Sequence, residues 1–283
     1  MAEYFVARGL PVPPELTRHP LTDWRRNAVL AVTILTIVVG LRITNIDFSY
    51  ANPDYAGRQV AQLFNWDTRI LTPQNEFETY WDTAEGLMVI TIFLGIIATI
   101  FAIIVALPIS FLGARNIMAG NRVSMAVYTV VRLFFTVVRS IDVLIVVIVM
   151  SILFGIGNAA GVIGLAFHNL GVLGKLYSEA IEGIDPGPIE AITATGANRF
   201  QVIWTAVIPQ IVNPYISFTI YRLDANVRLA PILGYVGGGG IGVMLFQSIQ
   251  LLQYRAAGLI IFMIIVTVAI MDFLSAQVRR RLA

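Results

Sequence analysis

The sequence predicts an all-α, polytopic membrane protein with about six transmembrane helices, and three observations carry that expectation. Hydrophobic residues make up 57% of the 283 residues and charged residues only 13%, with a mean hydropathy of +0.78, which is membrane-like composition. Apolar stretches of about 20 residues, enough for a helix to cross the hydrocarbon core, recur along the chain. Basic residues cluster between alternate stretches, as the positive-inside rule requires.

Residues 1–27 are polar and proline-rich with no apolar run, so they read as a cytoplasmic tail and not as a cleavable signal peptide. Ala28 to Ile46 forms the first span, followed to residue 83 by an acidic, aromatic external loop. Within that loop VAQLFNWDTRIL has the pattern of an amphipathic helix lying on the bilayer surface, or of a contact surface for another protein. Residues 84–283 hold the remaining spans. Glu85 to Leu112, Trp204 to Leu233 and Arg255 to Ala276 are long enough by themselves. The nearly continuous stretch 122–180 reads as one long helix bending near Arg139, a turn at GIGNAAG, and a second crossing to about Ser178.

Charge settles the parity. With six spans and a cytoplasmic N-terminus, Arg8, Arg18, Arg25, Arg26, Arg115, Arg122, Lys175, Arg199 and Arg279 to Arg281 all fall on the cytoplasmic side. The acidic 42–84 loop falls outside. A seventh span would put the arginine-rich C-terminus outside, against the rule. Both termini are therefore expected in the cytoplasm.

Composition also removes whole classes of function. The chain has no cysteine and only two histidines, His19 and His168, which excludes a disulfide framework, a thiol nucleophile and a zinc cluster. A net charge of +2 from scattered groups offers no nucleic-acid footprint. No Ser/His/Asp set or metal motif supports membrane-embedded catalysis. The one lysine, Lys175, does not sit in a phosphate-binding G-x-x-x-x-G-K-[ST] loop, so this chain does not hydrolyse ATP by that means.

Against that apolar background stands EAITATGANRFQVIWTAVIPQ, residues 190–210. IDPGPIEAITATGANRFQ reads as two short helices: Pro186 or Pro188 suits a first turn, Gly196 a left-handed helix end, and Asn198 the cap of the next helix. Small residues, capping signals and side chains of buried type, Ile203 and Trp204, mark it as a docking element rather than a plain loop.

Glu190, Ala191, Gly196, Ala197, Ile208 and Pro209 resemble the E-A-A, G, I-x-L-P signature of ABC importer permeases, with segment 181–205 as the cytoplasmic coupling region. RSI at 139–141, GKLYSEAIEGIDPGPIEA at 174–191, YRLDANVR at 221–228, GYVGGGGIG at 234–242 and DFLSAQVRRRL at 272–282 are similar to the phosphonate-type subfamily. The resemblance spans roughly residues 84–283. It implies a type I importer permease fold in the plasma membrane of a prokaryote and a pathway for phosphonate or a related small phosphorus oxyanion. It also implies two copies of this chain, two ATPase subunits that hold ATP and Mg, and an extracytoplasmic binding protein. Two departures stand out: Asp142 replaces the family proline after RSI, either altering the pathway or pairing with Arg139, and Ile192 replaces the third alanine of the signature.

Two further groups keep two readings each. Gly237, Gly238, Gly239 and Gly240 form either a re-entrant gate where backbones approach closely or a flexible external turn. The intramembrane polar residues Arg139, Asp142, Arg222, Asp224, Asn226 and Arg228 either line the pathway or act as structural pairs between helices. Asp224 and Arg228 share one helix face and are expected to pair. Arg222 lies about 160° away from Asp224 around the helix and needs another partner.

Overall fold

A computed structural model describes residues 8–9, 24–44, 52–75 and 78–282. Expectations for the remainder of the N-terminal tail, and for Phe48, Tyr50 and Phe77 of the external loop, lie outside the described residues. The chain divides into two compact units, residues 1–57 and 58–283.

In the first unit, helix α1 covers Trp24–Ile43. Its apolar stretch, Asn27–Ile43, is shorter than the other candidate spans. Thr33 and Thr36 donate their hydroxyls back to the carbonyls of Val29 and Val32 at 2.9 and 2.8 Å, so the helix carries those hydroxyls without exposing unpaired groups to lipid. The last expected residues of this span, 45–46, lie outside the described residues.

Helix α2, Pro53–Phe64, opens with proline at its first position. The amphipathic helix expected over 60–71 is thus displaced toward the N-terminus and ends at Phe64. The chain breaks there because Asp67 starts a separate 3₁₀ turn, Thr68–Leu71. The Asp67 carboxylate accepts from the Arg69 amide at 3.1 Å and from Arg69 Nε and Nη2 at 3.0 and 2.8 Å. Trp66 meets the Phe262 ring at 4.5 Å, and Arg255 donates to the Asn65 carbonyl and Oδ1 at 2.9 and 2.6 Å. The Arg69 side-chain and backbone bonds hold the Asp67 carboxyl at about 2 instead of 3.8. A depressed folded value stabilises fully above the unfolded value and loses that contribution as pH falls through the folded one. The turn is therefore expected to stay capped down to about pH 3, read as the Asp67 carboxyl shift in an NMR titration. A midpoint near 4 would contradict the cap.

The second unit holds the helical core. Helix α3 (Ala84–Leu112) is capped by Thr83 and followed by short α4 (Arg115–Met118). Helices α5 (Arg122–Ser140) and α6 (Val143–Phe154) replace the single bent helix expected over 122–154. The interruption falls at Ile141–Asp142, two residues past Arg139, because the Asp142 side chain accepts the Leu144 amide at 2.8 Å and starts a new helix. After Gly155–Gly157, α7 runs over Asn158–Glu182. Then come α8 (Pro186–Ala194), α9 (Arg199–Val202), a π-helical turn (Ile203–Val207) and α10 (Ile208–Leu233). Helices α11 (Ile241–Gln250) and α12 (Tyr254–Leu282) complete the chain.

Among the described residues, four helices, α3, α5, α7 and α12, are long and apolar enough to cross a membrane, and α10 with α11 forms a fifth candidate bent by 46°. The six expected spans correspond to α1, α3, α5 with α6, α7, the π-helical turn with α10, and α12. Helix α7 is the hub, packed against α3, α5, α6 and α10. Its glycines permit this: a Cβ on Gly171 would lie 2.7 Å from Val138, and one on Gly174 would lie 2.3 Å from the Phe135 ring. In a membrane, where apolar burial barely drives association, such close backbone approach supplies the packing. A polar chain crosses the same core: Tyr215 Oη lies 3.1 Å from Ser110 Oγ, Tyr177 stacks on Tyr215 at 4.0 Å, and Tyr177 Oη lies 2.5 Å from Thr219 Oγ1.

Candidate functional site

The segment 185–209 is built as two capped helices around a glycine hinge. Asp185 accepts the Gly187 amide at 3.0 Å at the start of α8, where Pro186 and Pro188 leave no internal amide unpaired. At its end Gly196 is left-handed, with φ of +82°, and its amide donates to Thr193 O at 3.0 Å. Asn198 and Gln201 then form a reciprocal capping box at 2.8 and 2.9 Å that starts α9. Glu190, Ala191, Gly196 and Pro209 are exposed, while Ala197 and Ile208 are half-buried. No residue of α8 is buried.

Trp204, read from sequence as a side chain of buried type, is 65% exposed, and Phe200 is 75% exposed. The π-helical turn explains the difference: the extra residue per turn rotates Trp204 outward, while Ala206 and Val207 take the buried positions. The result is a rigid projecting surface of small and aromatic side chains. Beside it, Ile117, Ile189, Ala197, Val202 and Val207 line a cleft of about 340 Å³.

The intramembrane polar residues do not gather into one site. Arg228 Nη2 reaches Asp224 Oδ2 at 3.2 Å and Asp272 Oδ1 at 2.5 Å, joining α10 to α12. Asn226 is fully buried and donates to Thr99 Oγ1 on α3 at 2.7 Å. Arg222 Nε and Nη2 both donate to Asn169 Oδ1 on α7, at 3.1 and 2.5 Å. Arg139 is exposed and does not pair with Asp142, whose carboxylate is engaged as the cap of α6. An ionised side chain at the bilayer centre costs about 2.5–3.5 kcal/mol on insertion scales, so each of these contacts offsets a real penalty. Replacing Arg228 by methionine is expected to lower the melting temperature in detergent, because Asp224 and Asp272 then lose the guanidinium that bridges them. Adding Asp272→Asn should recover part of the loss. Uptake abolished at unchanged stability would instead put Arg228 in the pathway.

The four glycines form a packed element, not a loose turn. Gly238, Gly239 and Gly240 are buried. The Gly157 amide donates to Gly237 O at 2.9 Å, the Gly240 amide to Asn158 Oδ1 at 3.2 Å, and the Ile241 amide to Thr91 Oγ1 at 2.8 Å. The loop thus fastens α11 to the starts of α7 and α3, with the close backbone approach that only glycine allows.

The family model for a binding-protein-dependent transport system inner membrane component matches residues 115–283, well over half of the chain and the whole coupling-like segment. The chain belongs to this family. It is a transport component with a type I importer permease fold rather than an enzyme. The phosphate-import permease protein PhnE of Mycolicibacterium smegmatis is 38% identical over 192 residues, 68% of this chain and 35% of that protein. The chain therefore spans about a third of that relative's length. An Escherichia coli protein assigned to a cryptic phosphonate transport system, the permease protein PhnE2, is 47% identical over 118 residues, 42% of this chain and 97% of that protein. In three dimensions, the inward-facing MetNI methionine ABC transporter aligns with a TM-score of 0.59 at 20% identity, over 69% of this chain and 94% of that chain. That likeness speaks for the fold alone.

Several residues of this family member carry geometry that the sequence pattern does not single out. Arg132 on α5 pairs with Glu182 at 3.0 Å and Glu179 at 3.7 Å on α7, and Glu182 also accepts the Arg115 amide at 2.9 Å. This cluster locks the base of the bundle just before the coupling-like segment. Gln210 accepts the Asp185 amide at 2.9 Å and donates to the Asp185 carbonyl at 3.3 Å, tying the start of α8 to α10. The i, i+4 spacing of Lys175 and Glu179 is visible in the sequence and is observed at 3.9 Å. Contacts of Arg132 and Gln210 span 50 and 25 positions and leave no local signal.

Proposed function

We propose that this chain is the permease subunit of an ATP-driven importer and forms the membrane pathway for phosphonate or a related small phosphorus oxyanion. The observation that carries the proposal is the 185–209 surface: a doubly capped, exposed helix pair rigidly tied to α7 and α10, within the stretch that matches the family. Segment 181–205, with Glu190, Ala191, Gly196 and Ala197 and followed by Ile208 and Pro209, is the coupling region that seats in a partner ATPase. Two copies of this chain, lying together in the bilayer of a prokaryotic plasma membrane with both termini in the cytoplasm, work with two ATPase subunits and an extracytoplasmic binding protein.

In this mechanism ATP and Mg are held by the ATPase subunits. Closure of those subunits moves the two α8 helices together, and because Gln210 and the Arg132–Glu182 pair tie that segment to α10, α7 and α5, the helices move as packed units. The cavity then opens outward to accept the solute from the binding protein, and hydrolysis resets it. Gly237 to Gly240, bonded to the starts of α7 and α3, form the gate loop. Relatives named for phosphate import and for phosphonate transport support a small phosphorus oxyanion as the solute. Co-expression with the ATPase of the same transport system is expected to yield a stable complex that hydrolyses ATP. Failure of the two to associate, with both well folded, would favour a channel or structural role.

A further inference from the structure

The arginines within the helical bundle differ in how they are held: Arg139 is exposed at the end of α5 and makes no ion pair among the described residues, whereas Arg132, Arg222 and Arg228 are partly enclosed or paired. Arg132 and Arg228 are each shared by two carboxylates. Among the described residues, no carboxylate lies within ion-pair distance of Arg222. Its guanidinium is held by one neutral oxygen, Asn169 Oδ1, through Nε and Nη2. A guanidinium carries five N–H donors, so the rest of its fork has no acceptor among the described residues. The charge is likewise not neutralised by its partner.

The surroundings hold further unpartnered polar atoms. Asn169 is fully buried, and its Nδ2 donates to nothing among the described residues. His168, next to it on α7, leaves Nδ1 unpartnered. The Asp142 carboxylate is committed to the Leu144 amide. Arg222 itself is only half-buried. A fixed cation with spare, forked donors in a membrane matches a tetrahedral or planar oxyanion, whose oxygens accept two parallel N–H bonds.

We propose that Arg222, positioned by Asn169, makes a transient contact with the phosphoryl oxygens of the solute as it crosses the membrane. This rests on the importer reading above and deepens it by placing a solute contact inside the permease. A single arginine already sharing two of its donors with Asn169 binds weakly, which suits a pathway that the solute must both enter and leave.

The chain has no cysteine, so Arg222→Cys introduces a unique thiol. In proteoliposomes holding the full complex with its ATPase and binding protein, Arg222→Cys is expected to slow uptake of methylphosphonate and inorganic phosphate about tenfold to a hundredfold. ATP hydrolysis stimulated by the binding protein should persist. Aminoethyl methanethiosulfonate, which restores a cation at the thiol, should recover uptake, and the anionic sulfonatoethyl reagent should not. Uptake by Arg222→Cys at the unchanged rate would overturn the proposal. So would equal recovery with both reagents, or loss of uptake, hydrolysis and thermal stability in parallel, which marks a purely structural arginine. If the unsubstituted complex takes up neither solute while hydrolysing ATP, the oxyanion reading itself fails, and the Arg222 contact fails with it.

Discussion

Gly196→Val separates ATP hydrolysis from transport: uptake falls about tenfold or more while the complex goes on hydrolysing ATP and the helices remain inserted. Gly196 sits at φ of +82° with open space where a Cβ would go, so the substitution meets no clash. The whole effect is backbone strain, about 1–3 kcal/mol for a non-glycine residue in this region and worse for a β-branched one. The chain relieves it by leaving the left-handed conformation, which breaks the Gly196 amide contact to Thr193 O and swings α9 relative to α8. Because α8 has no buried residue to anchor it, the hinge angle fixes how the projecting surface meets a partner. Gly196→Asn is the matched control, since asparagine tolerates the left-handed region, and it should keep most of the uptake. Equal uptake by Gly196→Val and the unsubstituted protein would remove this segment from the coupling path.

Gly239→Val destabilises the folded chain by about 3 kcal/mol or more, because it combines overpacking with backbone strain. A Cβ at Gly239 would lie 1.9 Å from Asn158 Oδ1 and 2.8 Å from the Asn158 amide nitrogen, at φ of +79°. Relieving that contact costs the Gly240 amide its bond to Asn158 and shifts the neighbouring bond from Ile241 to Thr91. The expected signature is a lower melting temperature in detergent together with new protease sensitivity near α11. Asn158→Ala alone, which removes the acceptor without inserting a group, should have a smaller effect. A Gly239→Val protein as stable as the original would show the loop to be the loose external turn that the glycine run alone also allows.

Local chemistry made much of this legible in sequence. The two short helices of the coupling-like segment are announced by Pro186 or Pro188, Gly196 and Asn198, each of which acts within four residues of itself; the cap by Asp185 is a structural finding. The pairing of Asp224 with Arg228 followed from helical spacing. The outward rotation of Trp204 did not, because a π-helical turn depends on how α10 packs below it and not on the identity of Ile203 to Val207. Asp142 illustrates a different limit. As a charge three residues from Arg139 it looks like an ion-pair partner, yet its backbone is extended, with φ of −61° and ψ of 141°, and its carboxylate serves as a helix cap. Helix α11 was hidden because its ten residues, IGVMLFQSIQ, are too short and too mixed to stand out as a span of their own. The partner of Arg222 was unreadable for the simplest reason: Asn169 lies 53 positions away.

ATP hydrolysed by a separate subunit is expected to move a phosphorus oxyanion through the helices of this chain. The most direct measurement is uptake of radiolabelled phosphate and methylphosphonate into proteoliposomes containing this chain and the ATPase of its transport system, with the binding protein outside and ATP enclosed. The account predicts uptake that requires ATP, the binding protein and this chain together, and that disappears with Gly196→Val while hydrolysis continues. Uptake that proceeds without ATP, or ATP-driven uptake that persists when this chain is omitted, would contradict it.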